Sequence, residues 1–246
     1  MREQKVAPYI VCLHLFRLQP ASINKQFASK NSVFTEIKYQ HGRYYYTFRL
    51  EKNIAMKLPE RNKVCSVESA GALDLKLRKL VHNPYTILKP FVKEGMAILD
   101  LGCGPGFFTM ALARMVGKSG KVTAADLQEG MLGTVRKKAA GTNLQSIIEY
   151  HKCASDKTGL SATFDFVLVF YMLHEVPDQT AFLQEIHSLV KPNGKVLIVE
   201  PKFHVTKTDF DNSEAIMKRN GFEILEKPRV FFSRSVLVKK VTPDNK

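Results

Sequence analysis

The sequence lacks three features that would each indicate a particular class of protein. Its longest unbroken apolar run, Phe166 to Leu173, has eight residues, whereas a helix that crosses a bilayer needs about 20. Its four cysteines show no CxxC spacing, which predicts neither a zinc site nor a disulfide framework. We therefore expect no membrane span, no metal site, and a location in the cytoplasm, where thiols stay reduced.

The sequence also lacks a concentrated block of charge, although its formal net charge is +14. Residues 1–55 contain nine basic and three acidic residues, and the remaining basic residues are interspersed with acidic ones. Interspersed charges are typical of a solvated surface, whereas proteins that bind nucleic acid usually carry clustered ones. We therefore expect no nucleic-acid partner, and the ordinary apolar content of 45% predicts a globular chain.

Composition and periodicity divide the chain into three segments. Residues 1–55 show one strand-like patch, near Tyr44 to Leu50, and no sustained helical period. We interpret residues 1–55 as an extension that is either poorly ordered or upstream of a natural start at Met56. Residues 56–92 contain helical spacing and are predicted to form a lid. Residues 93–246 are predicted to form the functional domain.

In residues 93–246, short apolar segments alternate with amphipathic ones. Strands are predicted at 96–101, 121–126, 146–151, 164–170 and 195–200, followed by two closing strands at 222–226 and 230–238. The last two are separated by too few residues for a helical crossover, so they are expected to be antiparallel. The pattern predicts an α/β doubly wound sheet whose ligand crevice lies at the carboxyl ends of the strands.

One glycine-rich turn follows the first of these strands and carries the most specific signal. Its glycines, Gly102, Gly104 and Gly106, are spaced G-x-G-x-G. Asp126 ends the next predicted strand, 20 residues after Gly106. An acidic residue there is placed to accept the hydrogen bonds of a ribose diol. A dinucleotide fingerprint would need G-x-G-x-x-G, but Phe107 stands where its third glycine belongs. The turn therefore favours a nucleoside cofactor without a pyrophosphate.

The run Asp100-x-Gly102-x-Gly104-x-Gly106 resembles the first motif of the class I S-adenosylmethionine-dependent methyltransferases. Segments around Asp126, 164–167, 173–178 and 189–201 are similar to later motifs of that family, in the same order. The resemblance covers about residues 89–240. It implies a Rossmann-like seven-stranded sheet of order 3-2-1-4-5-7-6 with strand 7 antiparallel, methyltransferase activity, and S-adenosylmethionine as cofactor.

The resemblance also assigns roles to individual residues. The glycine loop would pass beneath the methionine part of the cofactor, Asp126 would hold the ribose, and Leu127 and Met131 would flank the adenine. Cys153-Ala154 stands where many relatives have an acidic and then a small residue near the adenine amine. The predicted cofactor-binding residues are Asp100, Gly102, Cys103, Gly104, Gly106, Asp126, Leu127, Met131, Cys153, Ala154 and Phe170.

The acceptor is less specified. Tyr171 and His174 follow the fourth strand and are the candidate catalytic residues, His174 as a general base or as a hydrogen-bonded structural histidine. Enzymes that methylate base amines carry an Asn- or Asp-Pro-Pro-aromatic run at this position, and this chain has Phe-Tyr-Met-Leu at 170–173. We therefore expect a small-molecule acceptor. An RNA methyltransferase and a non-catalytic cofactor-binding subunit are the alternatives.

Overall fold

The computed structural model describes the strands at 27–29, 32–41 and 44–51 and the continuous stretch 82–241. By their internal contacts, residues 1–60 and 61–246 form two separate units. The sequence-based boundaries at residues 55 and 92 stay predictions.

The first unit contains a three-stranded antiparallel sheet. Its strands are β1 (Phe27–Ser29), β2 (Ser32–His41) and β3 (Tyr44–Glu51), in the order β1-β2-β3. β2 and β3 pair from Phe34↔Glu51 to His41↔Tyr44. The strand expected near Tyr44 to Leu50 is β3, whereas β1 and β2 were not predicted.

The second unit contains a seven-stranded sheet, and its order confirms the predicted fold. Its strands are β4 (Ala97–Leu101), β5 (Lys121–Asp126), β6 (Ile148–Lys152), β7 (Phe164–Phe170), β8 (Val190–Pro201), β9 (Phe222–Glu226) and β10 (Ser233–Lys240). Neighbours run β6-β5-β4-β7-β8-β10-β9, and β10 is antiparallel to both β8 and β9. In chain order this is 3-2-1-4-5-7-6 with strand 7 antiparallel.

Helices connect the strands, and three of them begin at a side chain that caps the first turn. They are α1 (Pro84–Leu88), α2 (Thr109–Val116), α3 (Glu129–Ala139), α4 (Gln179–Leu189) and α5 (Lys207–Arg219). The Asp178 carboxylate accepts from the first N–H groups of α4, and Thr206 forms a capping box with Asp209 before α5. The helix predicted at 73–81 lies outside the described residues. Within the described part of the chain, every helix is too short or too polar to cross a membrane.

β8 is longer than the strand that the sequence predicts. Residues 191–194, Lys-Pro-Asn-Gly, are typical of a turn, and a strand was expected only at 195–200, but the pairing with β7 already begins at Val190. The register of β7 against β8 then shifts, so that Phe164 faces Val190 while Phe166 faces Lys195. Asn193 has a φ of 62° within this irregularity. The turn is therefore present as a bulge inside the strand.

The sheet is buried on both faces. One cluster of apolar side chains packs the face toward α1, α2 and α3, and the other packs the face toward α4 and α5. Phe166 and Val167, consecutive on β7, belong to different clusters because successive side chains of a strand point to opposite faces. β7 is thus a central strand, as its apolar run predicts.

Phe166→Ala should remove about 3–5 kcal/mol from the free energy of unfolding, because the ring is 1% exposed and its loss leaves a cavity. The expected decrease in melting temperature is roughly 10 °C. Calorimetric melting checks this, with Phe231→Ala as the control, since that ring is 56% exposed. Equal effects of the two substitutions would contradict the burial assignment.

Candidate functional site

The candidate site lies where the direction of the chain connections reverses. β4 pairs in parallel with β5 on one side and with β7 on the other. The connection from β4 leads to β5 and the chain later returns to β7, so the loops after β4 and β7 leave the sheet in opposite directions. Such a point forms a crevice at the carboxyl ends of the strands. Three features lie at this crevice: the glycine loop, which follows β4, Asp126, which ends β5, and the segment that follows β7.

The three glycines of the loop are required for different physical reasons. All have positive φ, and a Cβ on Gly102 would lie 2.8 Å from Met172 Cγ, while one on Gly106 would lie 2.9 Å from Val135 Cγ2. These two glycines permit close packing against neighbouring elements. A Cβ on Gly104 would have no atom within 4 Å. Gly104 therefore exposes backbone to open space, as a loop that cradles a ligand does.

Asp126 is tied to the glycine loop through its carboxylate. Oδ2 accepts a hydrogen bond from Gly104 N–H at 2.9 Å and Oδ1 accepts one from Gln128 N–H at 2.8 Å. Burial raises the pKa of Asp126, and hydrogen bonds from the N–H groups of Gln128, Gly104 and Leu127 oppose that shift. A carboxylate offers about four acceptor positions. With three N–H groups bound, one position remains for a hydroxyl group such as one of those of a ribose.

Asp100 and Cys103 are buried at the base of the loop. Asp100 is 2% exposed, and its Oδ2 accepts a hydrogen bond of 2.6 Å from the hydroxyl of Thr109, the first residue of α2. Burial raises the pKa of the Cys103 thiol far above its usual range, and the nearby charges of Asp100 and Asp126 raise it further. Cys103 is therefore a neutral thiol and not a nucleophile.

The residues expected around the adenine lie beside Asp126. Leu127 is 38% exposed, whereas Met131 in α3 is 2% exposed. Cys153 N–H donates to Asp126 O at 3.0 Å, which places the segment containing Cys153 and Ala154 next to the end of β5. Burial, followed by the charges of Asp126 and Glu185, raises the pKa of Cys153 to about 11. Leu127 therefore offers the exposed apolar surface in this group.

Beyond β7 the chain forms an aromatic wall. The Phe170 ring lies 4.3 Å from the Phe108 ring and 4.5 Å from the Tyr171 ring, measured between centroids. Tyr171 has a φ of 61°, and its hydroxyl lies 2.6 Å from Ser233 Oγ and 3.1 Å from His82 Nε2. His82 is 7% exposed, and its Nε2 also lies 3.0 Å from Phe231 O. The Tyr171 hydroxyl is thus committed to neighbours inside the protein.

His174 is held by a buried carboxylate from a different strand. It lies in the short 3₁₀ turn Leu173–Glu175, and its Nδ1 is 2.5 Å from Oε2 of Glu200 on β8. Burial lowers the pKa of His174, but the hydrogen bond with Glu200 and the charges of Glu200 and Glu175 together raise it above its ordinary value. Among the residues that the structure describes, His174 Nε2 has no hydrogen-bond partner.

The structure thus brings most of the predicted site residues to one edge of the sheet and adds three that sequence reasoning missed. The added residues are His82, Glu200 and Ser233, each of which contacts a predicted catalytic residue. Their separations in sequence from those partners, 89, 26 and 62 residues, explain why no local pattern indicated them. No cluster able to hold a metal ion occurs in the described stretches.

Comparison with known proteins agrees with this geometry. Residues 98–194 match the family model described as a methyltransferase domain. A demethylmenaquinone methyltransferase of Lactobacillus johnsonii is 43% identical over 112 residues, which are 44% of this chain and 45% of that protein. A protein of the same name from Bacillus cereus is 38% identical over 109 residues, 44% of this chain and 46% of that protein. The chain spans less than half the length of these curated relatives.

Solved structures extend the similarity to a larger share of the chain. The crystal structure of a SAM-dependent methyltransferase from Aquifex aeolicus superposes with a TM-score of 0.66 at 28% sequence identity, covering 72% of this chain and 100% of that one. A methyltransferase from Pyrococcus furiosus, with a TM-score of 0.53 and 17% identity over 70% of this chain and 96% of that one, shares the fold.

Gly104→Ala should weaken binding of S-adenosylhomocysteine about tenfold or more, because the new methyl group would enter the open space beneath the expected ligand. Gly141→Ala is a matched control, since Gly141 also has positive φ and open space around its Cβ but lies outside the loop. Each substitution should cost about 1–2 kcal/mol of stability through backbone strain. Isothermal titration calorimetry checks the affinities, and equal affinities for the two variants would refute the cradle.

Proposed function

Because the second unit has the fold of a class I S-adenosylmethionine-dependent methyltransferase and residues 98–194 match a methyltransferase domain, we propose that the protein transfers a methyl group to a small aromatic acceptor that carries an ionisable hydroxyl. The predicted family, fold and cofactor are confirmed by the domain match and by the solved relatives. The observation that carries the proposal is the combination of an open glycine cradle with a histidine whose outer nitrogen lacks a partner among the described residues.

The residues present fit the cofactor. When bound, S-adenosylmethionine supplies a methyl group on a positively charged sulfur. Gly104 leaves space for the methionine portion, Asp126 keeps an acceptor position for a ribose hydroxyl, and Leu127 offers an exposed apolar side chain to the adenine. These roles are proposals for individual side chains, and they agree with the resemblance.

The names of the curated relatives support a quinone-type acceptor. Both are called demethylmenaquinone methyltransferase, and their similarity to this chain extends over 112 and 109 residues. The aromatic wall gives a physical reason for a planar acceptor. The Tyr171 ring contacts the Phe170 ring at a centroid distance of 4.5 Å and the Phe203 ring at 6.5 Å. Aromatic side chains favour planar apolar ligands by stacked and edge-to-face contacts.

An acceptor of this class needs a base. A phenolic hydroxyl has a pKa near 10, so it is mostly protonated at neutral pH and is then a weak nucleophile. We assign the base to His174 because its Nε2 lies on the side of the ring away from Glu200 and is open to a proton. The proton would pass from the acceptor hydroxyl to Nε2, and the electron pair left on the acceptor would form the new bond with the methyl carbon. The bond from that carbon to sulfur would break at the same time, its electron pair staying on the sulfur of the departing S-adenosylhomocysteine.

Tyr171 has a different proposed role. Its hydroxyl is held by Ser233 and His82, so we assign the ring to the wall of the acceptor site and assign no proton transfer to the hydroxyl. Its neighbourhood joins β7, β10 and the segment before α1. Of the predicted lid at 56–92, residues 56–81 lie outside the described residues and Pro84–Leu88 forms α1, so the lid stays a prediction. The cytoplasmic location likewise stays a prediction from the cysteine spacing.

S-adenosylhomocysteine at about 100 times its dissociation constant should stabilise the protein by about 2.7 kcal/mol. NAD should give no shift, because the loop lacks the third glycine of a pyrophosphate site. Differential scanning fluorimetry with both ligands checks this. A shift produced by NAD alone would show that the cofactor class is wrong.

Methyl transfer itself is tested with S-adenosylmethionine labelled in the methyl group and a reduced naphthoquinol as acceptor. We expect label in the quinol and a rate decreased about 10²-fold in His174→Ala, the usual contribution of a general base. Total RNA is the competing acceptor in the same reaction. Label recovered in RNA and absent from the quinol would favour the RNA methyltransferase, and binding without transfer to either would favour the non-catalytic subunit.

A further inference from the structure

Glu200 occupies an unusual position at the end of β8. It is 2% exposed, and its carboxylate accepts four hydrogen bonds. Oε1 accepts from the N–H groups of Met172 at 3.2 Å and Leu173 at 3.0 Å. Oε2 accepts from His174 N–H at 3.3 Å and lies 2.5 Å from His174 Nδ1. Groups of the three consecutive residues 172–174 therefore occupy all four acceptor positions of the carboxylate.

This arrangement determines which nitrogen of His174 carries a proton. An ionised carboxylate can only accept, so Nδ1 is the protonated nitrogen in the hydrogen bond with Oε2. In the neutral imidazole, the lone pair is then on Nε2. The ring of His204 stacks on that of His174 with a centroid distance of 5.5 Å and an interplanar angle of 11°, which further restricts rotation of the imidazole.

We propose that Glu200 is a positioning residue that makes His174 the proton acceptor of the reaction, by fixing the imidazole in the tautomer whose Nε2 lone pair is available. The inference rests on the proposed function, because it concerns the base in that reaction. The acceptor proton moves to Nε2, and the imidazolium so formed lies against the negative carboxylate.

The groups around His174 give the expected pH dependence a definite direction. Burial lowers the pKa of His174, but the hydrogen bond with Glu200 and the charges of Glu200 and Glu175 together raise it, and His204 is the other titratable group against the ring. A base acts in its neutral form, so activity should fall as pH falls through this raised pKa. The acidic limb of the activity profile should therefore lie above the value of about 6.5 expected for an ordinary histidine.

The first test is a double-mutant cycle on steady-state methyl transfer with Glu200→Gln, His174→Ala and the combined variant. We expect Glu200→Gln to lower kcat about tenfold or more, leave the KM for S-adenosylmethionine within twofold, and shift the acidic limb down by about one pH unit. In the His174→Ala background the same change should cost less than twofold, because Glu200 acts through His174. Equal losses in both backgrounds would show a purely structural role and overturn the proposal.

Two further variants separate positioning from general stability. Glu200→Asp keeps the negative charge and should restore part of kcat and the position of the acidic limb. Glu214→Gln neutralises another buried carboxylate, which pairs with Lys227, and should leave the pH profile unchanged. A shifted profile in Glu214→Gln would show that loss of any buried charge has this effect and would overturn the assignment to Glu200.

The second test needs no acceptor and no turnover. In ¹⁵N-histidine-labelled protein, with the His174 signals assigned by His174→Ala, the neutral ring should show a protonated Nδ1 and an unprotonated Nε2. Glu200→Gln should lower the pKa of His174 by about one unit. A protonated Nε2 in the native protein, or an unchanged pKa in the variant, would overturn the pairing whatever the acceptor is. The expected NMR result without any methyl transfer would instead reject the proposed function and leave the pairing intact.

Discussion

The structure of the second unit depends on the parallel pairing of β4 with both β5 and β7. The chain leaves β4 toward β5 and leaves β7 toward β8, so the loops after β4 and β7 diverge and leave an opening. The side chains of β4 and β7 are buried on both faces of the sheet, which makes the two strands a rigid platform. The proposed methyl transfer would need such a platform, because the protein would mainly have to align two ligands.

The sequence was most informative where a signal is local. β5, β7 and β9 begin and end at the predicted residues, because apolar runs and turn residues delimit them. The glycine loop was also recognisable, since its spacing expresses backbone geometry directly. β8 was predicted too short because Pro192, Asn193 and Gly194 are typical of a turn, whereas the sheet accommodates them as a bulge. Pairing with β7 on one side and β10 on the other outweighs their local preference.

The parts of the site that sequence reasoning missed are contacts between distant segments. Glu200 ends an apolar strand and has no local feature that distinguishes it from a solvated glutamate, yet it is buried against His174. Tyr171 was placed correctly after β7, but its positive φ and the commitment of its hydroxyl to His82 and Ser233 depend on the packing of three segments. The protonation state and tautomer of His174 depend on such contacts, so a local sequence pattern does not predict them.

The contact between Gly102 and Met172 has a consequence for how such a protein can change during evolution. A side chain at residue 102 has no room, because Met172 Cγ would lie 2.8 Å from its Cβ. Residue 102 lies in the glycine loop, and residue 172 lies in the segment that follows β7. A side chain at residue 102 therefore requires a smaller or shifted residue at 172, and the two positions are expected to change together.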